Sequence, residues 1–408
     1  MKSDVLFFSQ DVDRGLSLET KAFSPLVDST IEILEQNGLK CESILLPGSK
    51  LTSRSAVNRP LNISNLCLIF QAADFIIKFF FVVFRLKRQR FFMVLFYRCL
   101  LKIYNPKIII CIGATPALCE AARKYGFTLA ELLHGIGYPK IPWGWDKIER
   151  KQLPEIIFAL DNVSVSTFRN TQDKRFDVHL ISHPFHRQLL KNNPFQTSGW
   201  MKSKKTSSLY SKTVLLTLTW GYAGDHGPYP ELKGILKNGF LPDEVIDAIK
   251  GSSNIFFWRI RMHPVQIRNR SSDWLKIKLT DFCKENPNSE WEETSRLPLF
   301  TVAQACDCHI TMVSQASYEC AYLGLKTMAL CPTLRVGGTN ETMFTDLVKS
   351  GYLIKQPPNK SEILEWVAQS LKKTPLKMDG IVKIENIIKK ILEIKAKTSA
   401  ETINNFKN

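Results

Sequence analysis

The feature that most constrains this chain is a pattern that occurs twice. Short apolar runs alternate with helical patterns: Val5 to Phe8, then an amphipathic stretch from Pro25 to Gln36, then Cys41 to Leu46. Further runs follow at Ile108 to Ile112, Thr128 to Leu133 and Ile156 to Leu160. Alternation of this kind reads as βα units feeding a parallel sheet. From about residue 191 to residue 212 the composition turns polar, with Asn-Asn-Pro, Thr-Ser-Gly and Lys-Ser-Lys-Lys-Thr-Ser-Ser, and no apolar period survives. The alternation then restarts at Thr213 to Trp220, Ile255 to Met262, Cys308 to Val313 and Thr327 to Cys331, with helical patterns at Asp243 to Lys250 and Ser317 to Leu323. The expected organisation is an N-terminal Rossmann-like domain over 1–190, a linker over 191–212 and a second Rossmann-like domain over 213–375. An amphipathic helix and tail over 376–408 follow, with Ile381, Ile384, Ile388 and Ile391 at helical spacing.

Composition narrows the class. The chain has 408 residues, 44% of them hydrophobic, with 20 glycines and 20 prolines, which excludes a disordered, collagen-like or low-complexity chain. Its net charge of +17 argues for an anionic partner: a polyanion, an anionic membrane surface or acidic substrates. Ten cysteines lie mostly inside apolar runs, without the spacing of a secreted disulfide scaffold. The opening Met-Lys-Ser-Asp-Val-Leu-Phe-Phe has too short an apolar stretch for a signal peptide, so a cytoplasmic location is expected.

One segment interrupts the alternation. Leu66 to Phe84 is almost wholly apolar and runs into Arg85, Lys87, Arg88 and Arg90. Asp74 and Lys78 near its middle would each cost about 2.5–3.5 kcal/mol at a bilayer centre, which disfavours a full span. Two readings of 64–104 remain: a helix buried in the N-terminal domain, or a helical hairpin resting among lipid headgroups with its basic residues on anionic lipid. The second implies peripheral association with the inner membrane.

Four motifs fall just after predicted strands, where two facing α/β sheets place ligands in a central cleft. Thr217-Leu-Thr-Trp-Gly-Tyr-Ala-Gly-Asp225 leaves a strand through a glycine-punctuated turn, with Asp225 as a base, nucleophile or ion-pair partner, or alternatively a turn cap. Arg259-Ile-Arg261-Met-His263-Pro264 places its cationic groups on one side of a strand, a pattern suited to a phosphate, although a structural histidine is the competing reading. His309-Ile-Thr-Met-Val-Ser314-Gln315-Ala-Ser317-Tyr318-Glu319 passes from a strand into a helix start. Unpaired N–H groups and serine hydroxyls there suit an anion, and Glu319 suits ribose hydroxyls. Glu131-Leu-Leu-His134-Gly135-Ile-Gly137-Tyr138-Pro139 offers Glu131 and His134 as acid/base or acceptor-binding groups of the first domain. His183-Pro184 and the turn at Gly113 are equally explained as strand-end turns.

Several classes lose support. There is no GxxxxGK[ST] or GxGxxG, so ATPase and nicotinamide readings weaken. Cys306-Asp-Cys308-His309 lacks a second ligand pair at zinc spacing, so no metal and no cofactor are expected. The basic residues are dispersed without a nucleic-acid-binding motif.

The order of these motifs, His-Gly, strand-Gly-Asp, Arg-x-His-Pro and Ser-x-x-Ser-Tyr-Glu, resembles bacterial glycosyltransferases of the two-domain GT-B architecture. It is closest to the retaining β-Kdo transferases that build capsule, lipopolysaccharide or O-antigen carbohydrate. The likeness spans most of residues 105 to 335. It implies CMP-Kdo as donor, a growing glycan or glycolipid as acceptor, and Asp225 as a nucleophile forming a glycosyl adduct. It also implies Arg261 and His263 at the donor phosphate, with Ser314, Gln315, Ser317, Tyr318 and Glu319 on the nucleotide side. Glu131 and His134 would serve the acceptor or proton transfer. A CDP-glycerol glycerophosphotransferase shares the His-Gly and Arg-x-His-Pro motifs and is the nearest alternative. A non-catalytic assembly protein at the membrane is a third.

Overall fold

The computed structural model describes residues 3–405 except 19, 47, 84–90, 139, 172–173, 192–208, 220–235, 237–238, 269 and 377–381. The chain forms two compact units, Met1–Asn192 with Met378–Asn408, and Asn193–Lys377.

In the first unit the strands are β1 (Val5–Ser9), a small antiparallel hairpin of β2 (Leu16–Leu18) and β3 (Lys21–Phe23), β4 (Cys41–Leu45) and β5 (Leu61–Asn62). After them come β6 (Ile108–Cys111), β7 (Thr128–Leu132), β8 (Ile156–Ala159) and β9 (Asp177–Leu180). Seven of these form one parallel sheet in the order β5-β4-β1-β6-β7-β8-β9. Successive β1 residues feed opposite faces, as a two-residue period requires. Val5 and Phe7 join α1 (Val27–Gln36) and the C-terminal helix Ile384–Asn405 in one buried cluster. Leu6 and Phe8 join α2 (Ser64–Val83), α3 (Phe91–Tyr104) and α4 (Pro116–Lys124) in another. Both faces are therefore covered, which is why these strands read as unbroken apolar runs. α5 (Asn162–Arg169) and α6 (Pro184–Lys191) follow β8 and β9.

The C-terminal segment belongs to this unit. Val382 bridges Ile181 beside β9, and Arg187 of α6 makes two hydrogen bonds of 2.9 Å to the Glu385 carboxylate.

The second unit contains β10 (Lys212–Thr217), β11 (Phe256–Arg261), β12 (Ser289–Glu290), β13 (Cys308–Thr311), β14 (Lys326–Ala329) and β15 (Leu353–Lys355). They form a parallel sheet in the order β12-β11-β10-β13-β14-β15. Counted within the unit this is 3-2-1-4-5-6, the doubly wound Rossmann order, and the large sheet of the first unit begins the same way. Each such sheet has a switch point where the winding reverses: β1/β6 in the first unit and β10/β13 in the second.

The described part of the apolar segment, up to Ile76, is buried on one side of α2. Cys67 is buried and Phe70 packs on the core, yet Leu66, Leu68, Ile69, Phe75 and Ile76 are exposed on the other side of α2. Asp74 is turned toward α3, where its carboxylate accepts from the N–H groups of Phe92 (3.0 Å) and Met93 (2.9 Å). Among the described residues no helix is long and apolar enough to cross a membrane. Arg85, Lys87, Arg88 and Arg90 lie outside the described residues.

Candidate functional site

At the switch point of the second unit the carboxyl ends of β10 and β13 are pinned together. Thr311 Oγ1 donates to Thr217 O (3.0 Å), and just beyond the strands Thr219 Oγ1 donates to Val313 O (2.9 Å) while accepting from Val313 N (3.3 Å). Below them His309 is fully buried, with Nε2 2.8 Å from Thr217 Oγ1 and Nδ1 3.0 Å from Thr327 Oγ1. Burial pushes its pKa down to about 3, so the neutral ring ties β10, β13 and β14 together. Both ring nitrogens are engaged by threonines, which removes His309 from the Cys306-Asp-Cys308-His309 metal pattern.

Directly above this pinned region the chain turns through Ser314 and Gln315 into the short helix Ala316–Tyr322. Ser314 Oγ accepts from Ala316 N (3.2 Å), and Ser314 O accepts from Ser317 N (3.1 Å). Ser317 is wholly buried, and its hydroxyl has no hydrogen-bond partner among the described residues; the amide oxygen of Gln315 is in the same condition. Buried polar atoms are seldom left unsatisfied, so this turn has unused hydrogen-bonding capacity. Tyr318 is committed elsewhere: its hydroxyl donates to Asp346 Oδ1 (2.8 Å) and its ring packs on Phe344. Glu319 is half-buried, and its charge favours the charged form of Arg261.

The β11 end is organised differently from the sequence pattern. Arg259 and Arg261 do share a side of the strand, but both are buried and engaged. Arg259 Nη1 donates to Glu290 Oε1 (3.1 Å). Arg261 Nη1 donates to the carbonyl oxygens of Thr294 and Leu297 at the end of the helix Glu292–Arg296. Burial pushes Arg261 down to about 10, which still leaves it protonated at neutral pH. It braces a helix end. His263 is half-buried and caps the helix Pro264–Arg268: its Nδ1 accepts from Val265 N (3.2 Å), so the neutral ring carries its hydrogen on Nε2. Asp225 lies outside the described residues.

In the first unit the β7 motif divides into an interior and an exposed half. Glu131 is wholly buried; its two carboxyl oxygens accept from Gly113 N (2.7 Å) and Ala114 N (2.9 Å), the turn that follows β6. Burial, and more weakly the charge of Asp13 after β1, push its pKa up to about 8. Gly113 has φ +81°, and a Cβ there would lie 3.0 Å from Gln10 Nε2, so the β1 and β6 loops meet closely at this switch point. His134 keeps an exposed edge beside Trp143 and Tyr138, and burial holds its pKa below the usual histidine value. The following loop is anchored by Asp161, which accepts from Gly137 N (3.0 Å) and caps α5 through Val163 N (3.0 Å). His183 stacks on His186 with ring centroids 4.0 Å apart.

Sequence reasoning missed Asp13, Gln10, Asp161 and Thr219. Asp161 alone carried a local signal, an acidic residue before a helical pattern. The other three depend on loops far apart in sequence.

No protein-family model matches the sequence, and no curated protein does. Solved structures do match. A UDP-GlcNAc 2-epimerase from Methanocaldococcus jannaschii is similar with a TM-score of 0.55 and 14% identity, over 97% of this chain and 99% of that one. The UDP-GlcNAc 2-epimerase from Neisseria meningitidis bound to UDP-GlcNAc has a TM-score of 0.50 and 15% identity, over 97% and 100%. The glycosyltransferase of kitacinnamycin has a TM-score of 0.50 and 12% identity, over 98% of each chain. The fold is GT-B. At these identities the likeness speaks to architecture, and the expected pair of Rossmann-like GT-B domains is the one observed.

Proposed function

We propose that this chain is a nucleotide-sugar glycosyltransferase that binds its nucleotide at the β10/β13 switch point, with CMP-Kdo as donor and a surface glycan or glycolipid as acceptor. The observation that carries the reading is the pinned pair of strand ends beneath a turn whose Ser317 hydroxyl and Gln315 amide oxygen are buried and unpartnered. Nucleotides bind doubly wound sheets at such points. In this reading Ser314 and Ser317 serve the donor phosphate, and Gln315 accepts from a ribose hydroxyl or base N–H. Glu319 serves the ribose, and His263 Nε2–H donates to the leaving phosphate oxygen. Arg261, Tyr318 and Glu131 are positioning residues, because each is engaged by its own unit.

The choice of donor rests on the motif resemblance. A carboxylate at Asp225 would attack the anomeric carbon as its bond to the CMP oxygen breaks. The acceptor hydroxyl oxygen would then displace the carboxylate and lose its proton to a base, the role that the motif resemblance gives to Glu131 or His134. Two displacements at one carbon retain configuration.

The likeness to UDP-GlcNAc 2-epimerases over nearly the whole chain favours a second reading, epimerisation of a UDP-N-acetylhexosamine without any acceptor. Separate incubations with CMP-Kdo, UDP-GlcNAc and CDP-glycerol, followed by product analysis, distinguish the two. Acceptor-stimulated CMP release from CMP-Kdo, abolished in Asp225→Asn while CMP still binds, is the expected result. Turnover confined to UDP-GlcNAc or to CDP-glycerol would overturn the choice of reaction.

A further inference from the structure

We infer that the outward face of α2 is a docking surface for an anionic lipid bilayer, which it meets lying in the plane of the headgroups. Leu68, Ile69, Ala72, Phe75 and Ile76 recur at helical spacing on one side of α2, and all are exposed, Ile69 at 66% and Phe75 at 69%. Adjacent large exposed apolar side chains in a single helix face mark an interaction surface rather than ordinary surface scatter.

Two further facts select lipid as the occupant. Asp74, the one charged residue of Ser64–Ile76, is turned inward to cap α3, so the outward face over Leu68–Ile76 carries no charge to desolvate. The sequence that follows α2, Arg85-Leu-Lys87-Arg88-Gln-Arg90, adds four cations and no acidic residue. An apolar helix face followed in sequence by a basic run is a combination that suits anionic bilayers: apolar side chains enter the headgroup boundary and positive charge favours anionic lipid. The inference is independent of the reaction proposed above, since it concerns binding only.

The test is co-sedimentation of the full chain with vesicles of phosphatidylcholine alone and of equal parts phosphatidylcholine and phosphatidylglycerol. The chain should pellet with the anionic vesicles, and an Ile69→Ser/Phe75→Ser variant should lose about tenfold or more in partition. Val336→Ser, which removes a residue 93% exposed in the second unit, should behave as the original chain. Hydroxyl-radical footprinting gives a second readout that needs no variant. Oxidation of Phe75 should fall on adding anionic vesicles while that of Trp274 stays constant. The inference is overturned by a chain that stays in the supernatant, by equal pelleting of the double variant, by unaltered Phe75 oxidation, or by a dimer in solution that the double variant dissolves.

Discussion

Glu131 and His309 are ionisable groups held uncharged in the interior, and burial acts on them with opposite sign. Glu131 is raised from 4.5 to about 8, so between those values the folded chain keeps a proton that the unfolded chain releases. Its contribution to stability is complete below pH 4.5 and is lost as pH rises toward 8. His309 is lowered from 6.5 to about 3, so on acidification the unfolded chain takes up a proton first. Its contribution is complete above pH 6.5 and is lost as pH falls toward 3. Denaturant unfolding across this range should show the first unit weakening toward alkaline pH and the second toward acid. Glu131→Gln should flatten the first slope and His309→Gln the second. At this scale the sequence told only half of what each residue does. Alternation correctly placed Arg259 and Arg261 on one side of β11, but their partners, Glu290 and the carbonyls of Thr294 and Leu297, come from a distant segment that no local pattern points to.

Among elements, the long strands were legible because burial on both faces writes them as apolar runs, and the observed β1, β4, β6, β7 and β8 start where those runs start. The short edge strands β5, β12 and β15 and the β2/β3 hairpin were not, since two or three residues are too few to show a period. The capping role of Asp74 was not legible for a different reason. In sequence it is a charge interrupting an apolar run, and only the return of α3 makes it a helix cap. Asp74→Ala should cost about 1 kcal/mol of first-unit stability in denaturant titration. Gly324, which ends the helix Ala316–Tyr322, has φ +78°, and a Cβ there would lie 2.1 Å from Lys373 O. Backbone strain and overpacking then act together, and Gly324→Ala should destabilise the second unit by about 2–4 kcal/mol in the same measurement. No change would mean that the Lys373 backbone can yield.

For the molecule as a whole, the chain leaves the first unit, builds the second and comes back to complete the first. Ile384, Ile387 and Ile388 of the returning helix are buried against β1, β6 and α1 residues. Ile388→Ala should lower first-unit stability by about 2–4 kcal/mol and leave the second unit's transition in place, as followed by unit-specific hydrogen exchange. The two sheets share a Rossmann winding, and the proposed nucleotide site is the second unit's switch point, where the buried Ser317 hydroxyl and Gln315 amide oxygen lie beside Ser314. A crystal grown with CMP tests that assignment most directly. The account predicts nucleotide density at the carboxyl ends of β10 and β13, with phosphate against Ser314 and Ser317. Nucleotide bound instead on the first unit's Gly113 and His134 loops, or density that is indifferent to Ser317→Ala, would contradict it.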